Sequence, residues 1–247
     1  MAFTVKLADK IISVQNIYSE VESFCKDYLV ETATPDLTIC LTREDILFEE
    51  EQSSEQNCSP SYLESLALLR KISDIFPSYG RFLMHGASIS YKGYAYLFTA
   101  PSGTGKSTHI RLWKKYLGNE VEIVNGDKPF ISLATDTEIQ REPLIYGTPW
   151  AGKERWQRNC SAPLHGICFL QQGTNNSIRR MESAECLTML LRQVYIPKEV
   201  LAAGLTLELI DSLLKQVPVY LLTCDMSEEA VRCSFETMTG LTYPSNM

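Results

Sequence analysis

The stretch Thr99-Ala100-Pro101-Ser102-Gly103-Thr104-Gly105-Lys106-Ser107-Thr108-His109 constrains the fold of this chain more than any other. The apolar run Tyr94–Phe98 before it predicts a buried strand. The run Ile110–Leu117 after it predicts a helix, and Gly118 supplies its stop. Strand, glycine-rich loop, Gly-Lys-Ser and helix in that order predict a phosphate-binding P-loop. Gly103 and Gly105 let backbone N–H groups turn inward around phosphate oxygens. Lys106 supplies a cation for the β- and γ-phosphates, and Ser107 a hydroxyl for Mg²⁺. The helix N-terminus adds partial positive charge, and Ser102, Thr104 and Thr108 complete the expected nucleotide-binding set. The usual pattern opens on glycine where this chain has Ala100, and a methyl group is a small intrusion there. The plain alternative is a Gly/Ser-rich turn that happens to precede a helix.

A chain of 247 residues fits one large domain or a domain with a smaller attachment. The expected division is a small N-terminal α/β subdomain over 1–60 and a nucleotide-binding domain over 61–247. Hydrophobic residues make up 45%, enough for a sizeable core. No apolar run is long enough to span a bilayer, and Met1–Gln15 lacks the apolar stretch of a signal peptide. The net charge of −7 argues against a nucleic-acid partner. The 8 cysteines include no C-x-x-C pair, and several sit in apolar runs, such as Cys168. They read as reduced thiols of a cytoplasmic protein that needs no membrane partner.

Along the chain, Phe3–Leu7 and Leu37–Leu41 alternate as strands, and Tyr18–Tyr28 spaces its apolar residues as a helix. Glu49–Pro60 is polar and acidic and reads as a linker. Ser61–Phe76 is a helix halted by Pro77. Phe82–Ile89 reads as one strand, and Tyr91-Lys92-Gly93-Tyr94 turns it into the next. Val121–Val124, Phe130–Leu133, Gly166–Gln171 and Val217–Thr223 are further strands. Helices are expected over 184–194, over 200–216, and from the Ser227 cap to Met238. The fold class is α/β: a mixed sheet with flanking helices around the P-loop.

Three further features carry candidate chemistry. If the strand holding His85 pairs with Tyr94–Thr99, its imidazole ends near the loop mouth; the alternative is a histidine satisfied inside the sheet. Asp127 follows an apolar strand that comes straight after the P-loop helix, where a carboxylate can hold Mg²⁺ or take a proton from an attacking hydroxyl. Asn125-Gly126 is also a strong hairpin signal, so Asp127 also fits the flank of a turn. The loop Tyr146–Arg158 gathers Lys153, Arg155 and Arg158 around two tryptophans. It suits closure over phosphates or a grip on an acidic acceptor, with Gly147 and Gly152 as hinges. The alternative is a solvated loop pinned by buried Trp rings. His109 and His165 are taken as surface or edge residues.

His85-Gly86, the loop Ser102–Ser107 and Asp127 together resemble the HPr kinase/phosphorylase family, and more distantly the ATP-dependent phosphoenolpyruvate carboxykinases. The resemblance covers roughly residues 80–135, and the remainder follows only by order of elements. It implies a P-loop kinase fold of the HPr kinase/carboxykinase type. It also implies ATP and Mg²⁺ as cofactors, with Ser107 and Asp127 toward the metal and Asp127 as proton acceptor. His85 would stand near the transferring group. The family carries a pair of aspartates where this chain has Gly126-Asp127, so one partner is missing. The chain resembles a divergent branch, similar to kinase-like proteins found beside peptide-modification genes. The implied activity is γ-phosphoryl transfer from ATP to a hydroxyl, a serine of a small protein or peptide. Lys106 and Asp127 would serve catalysis, and Lys153 and Arg155 would bind the acceptor. A homo-oligomer is compatible with the sequence. The rival readings are a nucleotide-binding regulator without an acceptor and a carboxykinase-like enzyme acting on a small organic acid.

Overall fold

The computed structural model describes residues 1–31, 34–53, 57–133 and 142–244. Strands β1 (Ala2–Leu7), β2 (Lys10–Gln15) and β3 (Leu37–Cys40) form a small sheet, with β1 antiparallel and β3 parallel to β2. Helix α1 (Ser19–Phe24) continues into a 3₁₀ turn at Lys26–Tyr28. Helices α2 (Arg43–Gln52) and α3 (Pro60–Ile75) follow. Val5, Ile12 and Val14 of the sheet pack against Ala67, Leu68 and Ile72 of α3, in a core that extends to Phe130, Tyr146 and Trp150. The small sheet is thus continuous in its packing with residues well beyond position 60.

The acidic stretch read as a linker is partly a helix. Thr42 and Asp45 form a reciprocal capping box that starts α2, and α2 runs through Glu49 to Gln52. The hydrophobic pattern gives little sign of it, because α2 buries only Ile46. Ser59 then caps α3 with Pro60 in its first turn, and residues 54–56 of the stretch lie outside the described residues.

Among the described residues, the large sheet has nine strands. They are β4 (Arg81–Leu83), β5 (Ala87–Tyr91), β6 (Tyr94–Thr99), β7 (Val121–Asn125), β8 (Phe130–Ser132), β9 (Leu144–Tyr146), β10 (Ser161–Gln172), β11 (Ser177–Arg180) and β12 (Val219–Cys224). Its centre is parallel: β10 pairs with β6 on one side and β12 on the other. The flanks are antiparallel, through β5 and β7 beyond β6 and β11 beyond β12. Helices α4 (Lys106–Leu117), α5 (Ser183–Leu191), α6 (Val200–Gln216) and α7 (Glu228–Thr239) cover it. The sheet's two faces can be read from its residues. Ala95 and Leu97 of β6, with Ile167 and Phe169 of β10, face α5 and α6. Tyr96 and Phe98, with Cys168 and Leu170, face α4 and α7. Strands apolar on both faces are what a central strand covered on both sides requires.

The expected strand Phe82–Ile89 is two strands. The chain leaves β4 at Met84-His85-Gly86 and resumes as β5, so β4 pairs with β8 while β5 pairs with β6 and β7. The Asn125-Gly126 pair does not close a hairpin: β7 pairs with β5, and β8 with β4 and β9. His109 is buried rather than superficial, and no two cysteines among the described residues form a disulfide. Among the described residues, no helix is long and apolar enough to cross a membrane.

Candidate functional site

The glycine-rich loop joins the C-terminal end of β6 to the first turn of α4. Gly103 (φ 80) and Gly105 (φ 115) both take left-handed backbone, which a side chain would strain. Gly105 is the N-cap of α4 and no side chain caps the helix, so its leading N–H groups point into the loop. Lys106 is buried at the first helical position. Its ammonium donates to the carbonyls of Ala100 at 2.9 Å and Pro101 at 3.4 Å. Burial lowers the Lys106 pKa, Asp127 opposes that, and Lys128 adds to it; the net shift is downward. Thr104 Oγ1 donates to the Pro101 carbonyl at 2.9 Å, and Gln172 at the end of β10 donates to the Thr104 carbonyl at 3.2 Å. Ser102 is exposed, and Ser107 and Thr108 are half-buried on the first turn of α4.

His85 and Asp127 meet, although they leave different strands. Nε2 of His85 lies 3.2 Å from Oδ1 of Asp127. The backbone reinforces the pair, with the Gly86 N–H donating to the Asp127 carbonyl at 2.8 Å. Nδ1 of His85 lies 3.0 Å from Oε1 of Gln193, and the His85 N–H donates to the Gln193 carbonyl at 2.7 Å. Oδ1 of Asp127 and Oε1 of Gln193 are both acceptors, so an imidazolium donates to both, while a neutral imidazole that donates to Asp127 accepts from Gln193 only when that amide is turned to present its NH2 group. Thr99, the last residue of β6, donates to the His85 carbonyl at 2.8 Å and so ties this pair to the base of the loop.

Asn125 presents Asp127. Its Oδ1 accepts from the N–H groups of Asp127 (2.9 Å) and Lys128 (2.8 Å), and its Nδ2 donates to the Thr148 carbonyl at 2.9 Å. This is an Asx turn, which explains Asn-Gly here without a hairpin. Gly126 is required by close approach: a Cβ there would lie 2.5 Å from the Ala151 carbonyl oxygen. Burial pushes the Asp127 carboxyl up. The His85 hydrogen bond and the charges of Lys128, His85 and Lys106 outweigh that and hold its pKa below the ordinary value. Asp127 is therefore an ionised, half-buried acceptor in a cationic setting. Lys128, whose Nζ lies 3.8 Å from Oδ2, and Gln193 belong to this cluster and were missed in the sequence. Lys128 was legible as the neighbour of Asp127; Gln193 is brought in from the end of α5 with no motif to mark it.

The basic loop runs beside this cluster. Trp150 is buried and donates from its indole to the Ser65 carbonyl of α3 at 3.0 Å, with its ring against Phe24. At the other end, Arg111 of α4 stacks over Trp156 and lies 3.9 Å from Glu154. Between these anchors, a Cβ at Gly152 would be 3.3 Å from that of Asp127. The turn bearing Lys153 and Arg155 thus adjoins Asp127 through its backbone, while both side chains are exposed. Arg158 points elsewhere and pairs with Glu122 at 2.6 Å.

Two cavities adjoin these residues and share no lining residue. One, of about 410 Å³, lies between Gly103, Thr104, Gly105 and Thr108 and the ends of β10 and β12, at Gln172, Gly173 and Asp225. A crevice at the C-terminal ends of parallel strands is the usual ligand position in open α/β sheets. The other, of about 450 Å³, opens beside His85 and Lys128. Among the described residues, no group of three or more His, Cys, Asp or Glu side chains could by itself hold a metal ion.

No family model matches the chain, and no curated protein does either. Among solved structures, the HPr(Ser) kinase/phosphatase from Coxiella burnetii is similar to it in a distant way. The match has 14% identity and a TM-score of 0.33, covering 64% of this chain and 99% of that one.

Proposed function

We propose that this chain is an ATP-dependent phosphotransferase that moves the γ-phosphoryl group to a hydroxyl, a serine of a small protein or peptide. The observation that carries the reading is the ionised Asp127, held by His85 at 3.2 Å and coupled electrostatically to the buried lysine of an uncapped glycine loop. The loop fits a polyphosphate. Its two left-handed glycines and the free N–H groups of α4 form a concave donor surface, and Lys106 leaves its own loop carbonyls to reach the phosphate oxygens. The cavity between Thr104, Thr108 and Gly173 then takes the nucleoside. Ser107 and Asp127 are the side chains that would hold Mg²⁺, which neutralises charge on the transferring group when bound.

Asp127 accepts a hydrogen bond from the acceptor hydroxyl and fixes its line of approach. A carboxylate with a lowered pKa is a weak base. That suffices where bond formation to the incoming oxygen lags behind departure of the leaving group. His85 holds Asp127 in place and provides an onward route for the proton, with Gln193 fixing the ring. Lys153 and Arg155 stand on the turn beside Asp127, where they can meet an anionic acceptor.

The test uses ATP labelled at the γ-phosphate and serine-containing peptides, with the wild type and Asp127→Asn side by side. Asp127→Asn is expected to keep ATP affinity, measured without Mg²⁺, within a few-fold and to lower turnover by about 10²-fold or more. A wild type that binds MgATP and labels no acceptor is a nucleotide-binding regulator, which would refute the phosphotransferase reading. Unchanged turnover in Asp127→Asn would return Asp127 to a structural role in its turn.

A further inference from the structure

The cavity beside His85 shares no lining residue with the cavity at the glycine-rich loop. It lies between α2, α3 and the segment after α5, and its volume of about 450 Å³ is that of a site for a ligand or a short stretch of peptide. Its floor is apolar, from Phe48, Leu66, Leu69 and Val194. Its rim is cationic, from Lys128, Arg192 and Lys198. Arg70 also lines it but is already neutralised, by Glu49 at 2.6 Å and Asp45 at 3.1 Å. Arg192 and Lys198 are different: both are exposed, and neither has a carboxylate at ion-pair distance among the described residues. Lys198 Nζ sits 4.6 Å from the centre of the Phe48 ring, so the cation is held directly over the apolar floor.

In a chain with a net charge of −7, two unanswered cations converging on one apolar cleft are a local inversion of sign. The cleft is complementary to an occupant that is both apolar and acidic. One end of it is His85, the ring that holds Asp127. An occupant seated on the Phe48–Leu66 floor therefore has one end at the group that orients the acceptor hydroxyl.

We propose that this cleft is the acceptor site, and that it selects a serine-bearing peptide with an apolar and an acidic side chain close to the serine. The inference rests on the phosphotransferase reading and adds the acceptor's chemistry to it. The apolar side chain lies on Phe48, Leu66 and Leu69. The acidic side chain meets Arg192 and Lys198, and the serine stands at His85 and Asp127.

The experiment measures anisotropy of two fluorescently labelled serine peptides, one with flanking Leu and Glu and one with Lys in place of Glu. Each is titrated with the wild type and with the double variant Arg192→Glu/Lys198→Glu. MgATP affinity, equal in both proteins, verifies that the variant is folded with its loop intact. The wild type is expected to prefer the Glu peptide by about 10-fold or more, and the double variant to reverse the preference. Equal binding of the two peptides, binding of neither, or a preference that survives the charge reversal would overturn the proposal. A concentration-dependent dimer that the double variant dissolves would overturn it too, by making the occupant a second copy of this chain. The same peptides are then offered with labelled ATP. Charge-selective binding without transfer defeats the phosphotransferase reading while the cleft still binds as described. Transfer without charge selectivity defeats the cleft and leaves the phosphotransferase.

Discussion

His109 gives the loop-bearing helix a measurable dependence on pH. Its ring is buried against uncharged neighbours. Nε2 lies 3.2 Å from the Trp113 indole nitrogen and 3.1 Å from Ser234 Oγ, and the Phe98 ring packs at 4.7 Å. The Trp113 indole also donates to Ser234 Oγ at 2.9 Å, so a neutral ring either accepts from Trp113 at Nε2 or donates from it to Ser234, and Nδ1 has no partner among the described residues. A second proton would place a cation in the core with no carboxylate against it. Burial accordingly pushes the His109 pKa down to about 3. The unfolded chain takes up a proton near pH 6.5 and the folded chain does not until about 3, so acid favours unfolding. The contribution is fully present above pH 6.5 and is withdrawn as pH falls toward 3, at up to about 1.4 kcal/mol per unit. Between pH 7 and pH 5 the loss is about 2 kcal/mol. His109→Gln keeps an acceptor for Trp113 and cannot be protonated in this range. Urea unfolding of both proteins at both pH values gives a double difference from which every other titrating group cancels. The stability lost between pH 7 and pH 5 should be smaller in His109→Gln by about 2 kcal/mol, or roughly 4–8 °C in Tm for a domain of this size. Identical losses in the two proteins would refute the buried, uncharged state of His109 and with it the packing of α4 on α7.

Two further substitutions probe the ground around Asp127. Gly126→Ala sets a methyl 2.5 Å from the Ala151 carbonyl, so it should cost about 1–3 kcal/mol in urea unfolding and lower turnover by displacing the 150–155 segment from Asp127. Neutralising Lys153 and Arg155 together should leave stability within about 0.5 kcal/mol, because exposed cations contribute little to folding. The same change should reduce turnover and make acceptor affinity less sensitive to salt, and normal kinetics in an unfolding-prone variant would make the loop purely structural.

The sequence was most informative where a local rule decides the structure. The loop between β6 and α4 is specified by residues adjacent in the chain, so strand, glycines, lysine and helix fall where the pattern puts them. The Gly118 stop and the Ser227 cap are local in the same sense. Position 85 was harder. Phe82–Ile89 looks like one apolar strand, but the two halves pair with different partners, and only the pairing with β8 on one side and β6 on the other breaks the run at His85. Helix α2 escaped because its apolar face is one residue wide and its start lies in a capping box. Asn125-Gly126 carried a true turn signal with the wrong consequence: the asparagine side chain folds onto the next two N–H groups, and the glycine admits Ala151. Gln193 and the Arg192–Lys198 rim could not be placed from the sequence, because nothing local relates the end of α5 to residues more than a hundred positions earlier.

The account stands on the loop between Thr99 and Thr108 holding a nucleoside triphosphate by its phosphates, with Lys106 as the principal cation. Calorimetric titration of the wild type and Lys106→Ala with MgATP tests this most directly. A charge-assisted hydrogen bond contributes about 1.5–3 kcal/mol, so Lys106→Ala should weaken MgATP by roughly 10- to 100-fold or more and abolish transfer. Equal affinity of the two proteins for MgATP, or no binding by the wild type, would contradict it.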